Sequence, residues 1–326
     1  MNILITGGAG YIGSHVLKQL AEQSGHSLTI IDNLVTGFRD SVLYGDFIEA
    51  DLSNFDEMEG IFKTRKFDAI IHFAASLIVP ESVTNPLKYY LNNTSNTANL
   101  IRLCVKYGVN RFVFSSTAAV YGEPDISKMP ITEKDETLPI NPYGRSKLMS
   151  ETILKDASDA HKDFNYIALR YFNVAGASID GKIGQSTLNA THLIKVAAQT
   201  ALGKRDKMYI FGDDYETPDG TCIRDYIHIE DLANAHLKAL DYLYKEKKSN
   251  IFNCGYGHGF SVKEVIDTMR KVSGVDFTAE MSPKREGDPA VLIAGNKKIK
   301  EELGWEPKYD DLSLICKTAL DWEKKI

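Results

Sequence analysis

A strand, a glycine-rich turn and a helix follow one another at the start of this chain, and no other feature restricts the fold as strongly. The run Asn2–Thr6 predicts the strand, and the segment after the turn has apolar residues at helical spacing. Between them lie Gly7, Gly10 and Gly13, in the pattern Gly-x-x-Gly-x-x-Gly. Such glycines allow a tight turn, a close approach of backbone to a pyrophosphate, and close packing of helix on strand. With the phosphates at the positive end of the helix, the segment predicts a dinucleotide site.

A second strand, Ser27–Ile31, supports this interpretation because it ends at an acidic residue, Asp32. In dinucleotide-binding folds an acid at this point takes the hydroxyls of the adenosine ribose. An acidic side chain repels a 2′-phosphate, so the sequence favours NAD over NADP. Arg39 lies nearby, and its positive charge leaves NADP open as an alternative.

Strands and helices alternate through the first half of the chain, which is typical of an α/β fold with a Rossmann doubly wound parallel sheet. Further strands are predicted at Phe47–Ala50, Ala69–Phe73, Arg111–Ser115 and Tyr166–Arg170, and helices at about 56–64, at 86–107 and from Tyr143 onward.

After Asn173 the alternation weakens, and short strands at Met208–Phe211 and Cys222–Ile227 indicate a smaller mixed α/β lobe. We therefore expect an NAD-binding Rossmann domain at 1–172, with a return segment at about 226–254. A substrate lobe is expected at 173–326.

Composition limits the classes of protein to which the chain can belong. Its 326 residues, 43% of them hydrophobic, are enough for a large core in two lobes, and the net charge of −6 gives no electrostatic support for binding nucleic acid or a membrane surface. The longest apolar stretches have the length of strands, so neither a signal peptide nor a spanning helix is expected. The four cysteines are scattered and no metal-ligand spacing is recognisable, so we expect reduced thiols, no metal and a cytoplasmic location.

Two segments in the middle of the chain carry groups suited to moving a proton while a hydride moves. Ser115-Ser-Thr117 supplies hydroxyls at the end of a predicted strand, and Tyr143 and Lys147 lie four residues apart on a predicted helix. Residues at this spacing share one face of a helix. A tyrosine with an ordinary pKa near ~10 is a poor base at neutral pH, and a nearby cation favours the phenolate. Lys147 and a positively charged nicotinamide ring are therefore expected to make Tyr143 a usable base.

Taken together, the motifs resemble those of the UDP-galactose 4-epimerases of the extended short-chain dehydrogenase/reductase superfamily. The resemblance runs from Met1 to the last helix near Trp322. Besides the glycine turn, it is carried by Asp32-Asn-Leu34, His72-Phe-Ala-Ala75, Ser115-Ser-Thr-Ala-Ala-Val-Tyr-Gly122, Asn141-Pro-Tyr-Gly-Arg-Ser-Lys147, Arg170-Tyr-Phe-Asn173, Arg224-Asp-Tyr-Ile-His-Ile-Glu-Asp231 and Arg285-Glu-Gly-Asp288.

The resemblance implies a homodimer of galactose metabolism that holds NAD tightly and acts on a UDP-sugar. It implies that Tyr143 is the base, that Lys147 orients the cofactor ribose and tunes Tyr143, and that Thr117 relays or positions the sugar hydroxyl. The cofactor residues would be Gly7, Gly10, Tyr11, Ile12, Gly13, Asp32, Asn33, Asp51, Leu52, Phe73, Ala74, Ala75, Asn93, Ser115, Tyr143, Lys147 and Tyr171. The substrate residues would be Thr117, Tyr143, Asn173, Arg224, Arg285, Asp288 and Leu292.

For two of these substrate residues, a structural role is an alternative to substrate binding. Arg224 suits a diphosphate because its guanidinium matches phosphate oxygens, but it stands beside Asp225, and a local ion pair is the simpler interpretation. Leu292 aligns with a position where family members restricted to plain hexoses carry tyrosine. A leucine leaves room for an N-acetyl group at the sugar C2, which predicts activity on UDP-N-acetylglucosamine as well as UDP-glucose, unless Leu292 is only an apolar filler.

Two other functions remain open at this point. Nucleotide-sugar dehydratases and decarboxylases of the same superfamily begin with the same oxidation at C4, but dehydratases carry acidic residues where this chain has Ala118 and Ala119. A dinucleotide-sensing protein that kept the fold and lost the chemistry is the second alternative. The presence of Tyr143, Lys147 and Thr117 favours an enzyme.

Overall fold

The computed structural model describes residues 1–23, 25–188, 190–285 and 287–326. Its strands are β1 Asn2–Thr6, β2 Ser27–Asp32, β3 Asp46–Glu49, β4 Ala69–His72, β5 Arg111–Ser115, β6 Asn165–Tyr171, β7 Asn173–Ala175, β8 Met208–Phe211, β9 Ile223–Arg224, β10 Tyr226–His228, β11 Asn250–Cys254, β12 Phe260–Ser261, β13 Ala279–Ser282 and β14 Val291–Leu292. Its helices are α1 Tyr11–Glu22, α2 Phe55–Thr64, α3 Val79–Thr84, α4 Pro86–Tyr89, α5 Asn96–Tyr107, α6 Pro142–Ala160, α7 Leu193–Ala201, α8 Ile229–Glu246, α9 Val262–Ser273, α10 Lys297–Leu303 and α11 Leu312–Glu323.

Seven parallel strands form the central sheet, in the order β11-β6-β5-β4-β1-β2-β3. The direction in which strands are added reverses between β1 and β4. In doubly wound sheets, ligands bind at this reversal, outside the carboxyl ends of the strands. The glycine turn follows β1 directly, so it lies at the reversal. The predicted Rossmann fold is confirmed.

Both faces of the sheet are buried, and consecutive residues of each strand contribute to opposite cores. In β1, Ile3 and Ile5 join the core that includes α1 and α8, whereas Leu4 joins the core that includes α2, α5 and α6. Alternation of this kind follows from the two-residue period of a strand. It explains why these strands are apolar throughout, as expected for a parallel sheet covered on both sides.

The helix predicted over 86–107 is present, but it contains a wider turn. Helix α4 passes into a π-helical segment, Tyr90–Ser95, and then into α5, which ends at Gly108 with a φ of 72°. Such π turns occur often at functional sites. Here the segment carries Asn93, one of the predicted cofactor residues.

The second half of the chain adds helix α8, which packs on one face of the central sheet, and several small sheets. The small sheets pair β7 with β10, β8 with β13, and β9 with both β12 and β14. The single strand predicted over Cys222–Ile227 is wrong, because β9 and β10 are separated at Asp225 and pair with different partners. Strand β11 returns to the central sheet beside β6. The boundaries proposed for the two domains stay a prediction.

All four cysteines are buried and free of disulfides, as expected for packing residues. Within the described ranges, none of the helices has the length and apolar character needed to cross a membrane.

Candidate active site

The glycine turn is packed so tightly that side chains do not fit at two of its glycines. Gly7 has a φ of +73°, and a Cβ added to it would lie 2.5 Å from the amide nitrogen of Ala74. A Cβ on Gly13 would lie 2.3 Å from the carbonyl oxygen of Gly7. Helix α1 therefore begins directly against the turn. No side chain caps it, which leaves the first backbone N–H groups, those of Tyr11 and Ile12, for a ligand.

Asp32 lies at the end of β2, beside the glycine turn. Its carboxylate accepts hydrogen bonds from the amides of Ala9, at 3.0 Å, and Leu34, at 2.9 Å. Burial raises the pKa of Asp32, and these two amides oppose the rise. Arg39 is held on the ring of Phe47, 4.6 Å from its centroid, and donates to the carbonyl of Val42.

Most other predicted cofactor residues follow the ends of neighbouring strands. Phe73 and Ala74 continue from β4 and donate to the carbonyl of Thr6 at the end of β1, at 2.8 and 3.1 Å. Asn33 donates to Asp51 over 2.7 Å, which links the ends of β2 and β3, and hydrogen bonds from Ser53 and Asn33 lower the pKa of Asp51. The remaining members of the set also lie along this edge of the sheet: Leu52, Ala75, Ser115 and Tyr171, the last two joined by their hydroxyls.

Asn93 uses its side chain within the protein. Its Oδ1 accepts from the amide of Ser76 at 2.7 Å, and its Nδ2 donates to the carbonyl of Ser76 and the hydroxyl of Ser146, at 2.9 and 3.0 Å. Both amide protons are therefore engaged, and one Oδ1 lone pair is left for a ligand. Asn93 fastens the segment after β4 to helix α6.

Tyr143 stands in the first turn of α6, where Asn141 caps the helix by accepting from the amide of Gly144 at 2.9 Å. A Cβ on Gly144 would lie 2.6 Å from the carbonyl oxygen of Ala119, so the helix begins in direct contact with the turn that follows Thr117. This close approach brings Tyr143 beside Thr117. Burial raises the pKa of Tyr143, and the Thr117 hydroxyl partly opposes the rise.

Thr117 has a hydroxyl proton that its contact with the backbone does not use, which leaves that proton for the Tyr143 phenol or for a ligand. Its Oγ1 accepts from the amide of Ala119 at 3.1 Å, so the hydroxyl hydrogen is not used in that bond. Lys147 lies one helical turn beyond Tyr143, and its ammonium donates to the carbonyl of Ser115 at 2.8 Å while lying 4.9 Å from the ring centroid of Phe114. Burial lowers the pKa of Lys147 to about 7, against the opposing charge of Glu151. The three predicted catalytic residues are therefore together at one edge of the sheet, and their roles stay predictions.

Both ring nitrogens of His72 are already hydrogen-bonded within the protein, so neither is offered to a ligand. It is buried in β4 between Thr6, whose hydroxyl lies 2.6 Å from Nδ1, and Thr97, whose hydroxyl lies 2.9 Å from Nε2. Burial lowers its pKa to about 3, so the ring is neutral at physiological pH. His72 is therefore a core histidine whose two ring nitrogens are both hydrogen-bonded within the protein.

Arg224 does not pair with Asp225, so the local ion pair considered above is wrong. Neighbouring residues of an extended chain point to opposite sides. Arg224 forms its ion pair with Asp288, whereas the Asp225 carboxylate accepts three backbone amides. Burial raises the pKa of Asp225 to about 6 in spite of these three donors. Two predicted substrate residues, distant in sequence, are thereby in contact.

Arg285, Asn173 and Leu292 complete the predicted substrate set. Arg285 is exposed, with its guanidinium 3.7 Å from the ring centroid of Phe211, and Glu286 of the same motif lies outside the described residues. Asn173, also exposed, begins β7. Leu292 pairs with Arg224 between β14 and β9 and packs in a small core whose members include Ala118 and Phe172. Leu292 is thus close to the segment that carries Thr117.

A buried network beneath the catalytic residues was missed by the sequence analysis. Glu151, one helical turn after Lys147, accepts from the guanidinium of Arg170 and from the hydroxyl of Ser116. Both charged side chains are at most 5% exposed. Arg170 also donates to the hydroxyl of Tyr121 at 3.0 Å, which donates to Asn253. The only signal was the position of Glu151, four residues beyond Lys147 on the same helix face.

Comparisons with known proteins agree with this arrangement. The sequence profile of the NAD dependent epimerase/dehydratase family matches residues 3–255. The chain is 50% identical over 325 residues to the UDP-glucose 4-epimerase of Azospirillum brasilense, covering 99% of this chain and 92% of that one.

The chain is also similar to solved structures of UDP-glucose 4-epimerases. The UDP-Glc/GlcNAc 4-epimerase from Campylobacter jejuni is 57% identical, with a TM-score of 0.87 and coverage of 100% and 99% of the two chains. The UDP-glucose 4-epimerase from Brucella ovis in complex with NAD is 43% identical, with a TM-score of 0.94 and coverage of 98% and 97%. The chain belongs to the NAD dependent epimerase/dehydratase family and, within it, to the UDP-glucose 4-epimerases.

Proposed function

We propose that this protein interconverts UDP-glucose and UDP-galactose, and also UDP-N-acetylglucosamine and UDP-N-acetylgalactosamine, by inverting the sugar at C4. One observation carries the proposal: Tyr143, Thr117 and Lys147 meet at the carboxyl edge of the sheet that also carries the glycine turn. This arrangement supports the roles of proton acceptor, hydroxyl relay and cation at the edge where a nicotinamide cofactor and a sugar would meet.

The residues of the first lobe fit NAD. The turn at Gly7 and Gly13 has no room for side chains, and the uncapped start of α1 offers backbone N–H groups to a pyrophosphate. The buried Asp32 carboxylate has lone pairs beyond its two amide contacts, which suits ribose hydroxyls and disfavours a 2′-phosphate. The chemistry that bound NAD would supply at this site is reversible hydride transfer at C4 of the sugar.

Tyr143 as phenolate accepts the proton of the sugar 4-hydroxyl, directly or through Thr117, as the substrate is oxidised to a 4-keto sugar. The contact of Thr117 with the amide of Ala119 uses a lone pair of Oγ1, so the hydroxyl hydrogen is still able to take part in the proton transfer. Lys147, whose ammonium is held by the carbonyl of Ser115, would orient the cofactor ribose. On the return step Tyr143 gives the proton back to the 4-oxygen, so no net oxidation occurs.

Inversion requires the 4-keto sugar to present its other face before the hydride returns. Arg224 and Asp288 form one ion pair and Arg285 stands on the ring of Phe211, and these charged residues suit a diphosphate and a uridine ribose. Firm binding of this part of the substrate, with loose binding of the hexose, lets the sugar turn about the pyrophosphate linkage.

Leu292 supports the extension to N-acetylated sugars. It packs near Ala118, and it lacks the phenol ring that a tyrosine at this position would place beside the sugar. The 57% identical protein from Campylobacter jejuni is described as a UDP-Glc/GlcNAc 4-epimerase. We infer the same range for this chain.

We also propose that the protein is a homodimer of the cytoplasm. Val83, Leu87 and Leu91 recur every four residues along α3, α4 and the π turn, and they are 62%, 70% and 64% exposed. Met149, on the adjacent helix α6, is 46% exposed. Monomers rarely expose apolar side chains in such a row, and a second copy of the same face would cover it.

Turnover assays test the proposed activity. The purified protein, without added NAD, should convert UDP-galactose to UDP-glucose and UDP-N-acetylgalactosamine to UDP-N-acetylglucosamine. A folded, NAD-loaded protein that converts neither substrate would point to a dinucleotide sensor, and formation of a dehydrated or decarboxylated sugar would point to the other enzymes of the superfamily.

A further inference from the structure

Three of the proposed substrate residues are connected through one buried residue, Asp225. Its backbone carbonyl accepts from the amide of Asn173 at 2.9 Å, and its backbone amide donates to the carbonyl of Leu292 at 3.2 Å. Arg224 precedes it in the chain. Asp225 thus lies at the junction of β7, β9 and β14, the three strands that carry Asn173, Arg224 and Leu292.

The side chain of Asp225 fixes this junction. It is fully buried, and its Oδ1 accepts from the amide of Tyr256 at 2.8 Å. Its Oδ2 accepts from the amides of Gly257, at 2.9 Å, and Ala294, at 3.2 Å. Ala294 follows Leu292 by two residues, so this bond fixes the end of β14 against the loop after β11.

The carboxylate of Asp225 is tightly packed against the loop after β11. A Cβ added to Gly255 would lie 2.6 Å from Oδ2 of Asp225 and 2.7 Å from the Cβ of Ala294. An asparagine at position 225 has one acceptor oxygen instead of two. It would satisfy either the amide of Tyr256 or the amides of Gly257 and Ala294, but not both sets.

We propose that Asp225 is a positioning residue for UDP-sugar binding, which holds Asn173 and Arg224 in the arrangement that the nucleotide part requires and Leu292 in its place beside the sugar. The proposal rests on the proposed function. Asp225 is buried behind these residues and acts through them. Its loss is therefore expected to weaken binding of the UDP portion in the ground state and transition state alike, which raises KM and leaves kcat nearly unchanged.

Asp231 offers a matched control within the same sequence motif. It is also buried, and it accepts from the amides of Lys308 and Tyr309, both at 2.8 Å, and from the hydroxyl of Tyr256 at 2.7 Å. It makes as many side-chain hydrogen bonds as Asp225, but Lys308 and Tyr309 lie outside the proposed substrate set. Tyr256 contacts both carboxylates, Asp231 through its hydroxyl and Asp225 through its amide. Asp231→Asn therefore reports the cost of losing such a carboxylate with this shared partner, at a position that does not contact Asn173, Arg224 or Leu292.

The experiment compares NAD-loaded wild-type protein, Asp225→Asn and Asp231→Asn. Steady-state kinetics with UDP-galactose give kcat and KM, calorimetry with UDP gives a dissociation constant, and thermal unfolding gives Tm. For Asp225→Asn we expect KM and the UDP dissociation constant to rise on the order of tenfold, as for lost buried hydrogen bonds, with kcat within about threefold. Asp231→Asn should lower Tm comparably and keep the wild-type KM and UDP affinity.

If Asp225→Asn does not fold, Gly255→Ala provides the second test, because it keeps the carboxylate and pushes on Oδ2 and Ala294. It should raise the KM for UDP-galactose and the UDP dissociation constant. Unchanged KM and UDP affinity in whichever Asp225 or Gly255 variant folds would overturn the proposal, as would an equal rise in Asp231→Asn. Wild-type turnover tests the proposed function separately, since UDP binding is measured without chemistry.

Discussion

The chemistry proposed for Tyr143 depends on a charge balance that the protein alone does not provide. Burial raises the pKa of Tyr143, and the neighbouring Thr117 hydroxyl only partly opposes the rise. Lys147, expected from the sequence to lower this pKa, points its ammonium at the carbonyl of Ser115 and has its own pKa lowered to about 7 by burial. The positive nicotinamide ring is therefore the main group expected to favour the phenolate.

Replacing the proposed base tests its role directly. Tyr143→Phe removes the proton acceptor and should lower kcat at least about a hundredfold, the usual scale for lost general-base catalysis. UDP affinity, measured by calorimetry, should stay at the wild-type value because the contacts proposed for UDP are made by other residues, among them Arg224 and Asp288. A near-normal kcat would exclude Tyr143 as the base.

The pH dependence of the Tyr143 phenol gives a second prediction. A cation beside a phenol lowers its pKa, so phenolate absorbance should appear at lower pH in protein loaded with NAD⁺ than in protein loaded with NADH, whose ring is neutral. Subtracting the same titration of Tyr143→Phe removes the contribution of the other tyrosines. Equal titration midpoints for the two cofactor states would show that the charge of the nicotinamide ring does not lower the pKa of Tyr143.

Substrate range is predicted to depend on the size of residue 292. Leu292→Tyr should suppress conversion of UDP-N-acetylglucosamine by roughly ten- to a hundredfold, since overpacking costs about 1–3 kcal/mol, and spare the UDP-glucose reaction. Leu292→Met, which keeps the volume, should retain both activities. Equal loss of both activities in Leu292→Tyr would make Leu292 a packing residue without a role in selection.

At the scale of elements, helix α6 links the catalytic groups to the core of the sheet. Its first turn carries Tyr143, its second carries Lys147, and its third carries Glu151, which is paired with Arg170 of β6. A buried ion pair contributes little net stability compared with apolar residues, but removing one partner leaves the other charge unpaired. The pair therefore constrains where α6 lies on the sheet.

Unfolding experiments measure this constraint. Glu151→Leu leaves the Arg170 guanidinium buried without its carboxylate and should lower the free energy of unfolding by about 3–5 kcal/mol. The double variant Glu151→Leu/Arg170→Met should recover much of that loss. Denaturant titrations of the NAD-loaded proteins give both values, and a loss below about 1 kcal/mol in the single variant, typical of an exposed pair, would contradict the role of the pair.

For the whole molecule, the exposed apolar row on α3, α4 and the π turn predicts the oligomeric state. Leu87→Glu places a charge at the middle residue of this row and should convert the dimer to monomers, as measured by light scattering after size exclusion. Val275→Glu, at another exposed apolar residue on the loop after α9, should leave the dimer intact. A wild-type protein that is already monomeric would remove the basis for the proposed interface.

Local patterns in the sequence determined which segments along the chain are strands and which are helices. They also determined the relative positions of functional groups that are close together in the chain. The glycine turn after β1, Asp32 at the end of β2, and the shared helix face of Tyr143 and Lys147 all follow from periods of two or 3.6 residues and from the conformations open to glycine. These features depend on neighbours within a few residues, so no knowledge of distant packing is needed to predict them.

Only the tertiary structure decided which distant residues meet. Sequence proximity left a pairing of Arg224 with Asp225 open, but strand geometry turns the two side chains apart. Arg224 reaches Asp288, while Asp225 accepts three backbone amides from two other segments. The contact of Glu151 with Arg170 and the approach of Gly144 to Ala119 were likewise absent from any local pattern. Such contacts are set by strand order, register and the packing of helices on the sheet, which bring together residues that are far apart in the chain.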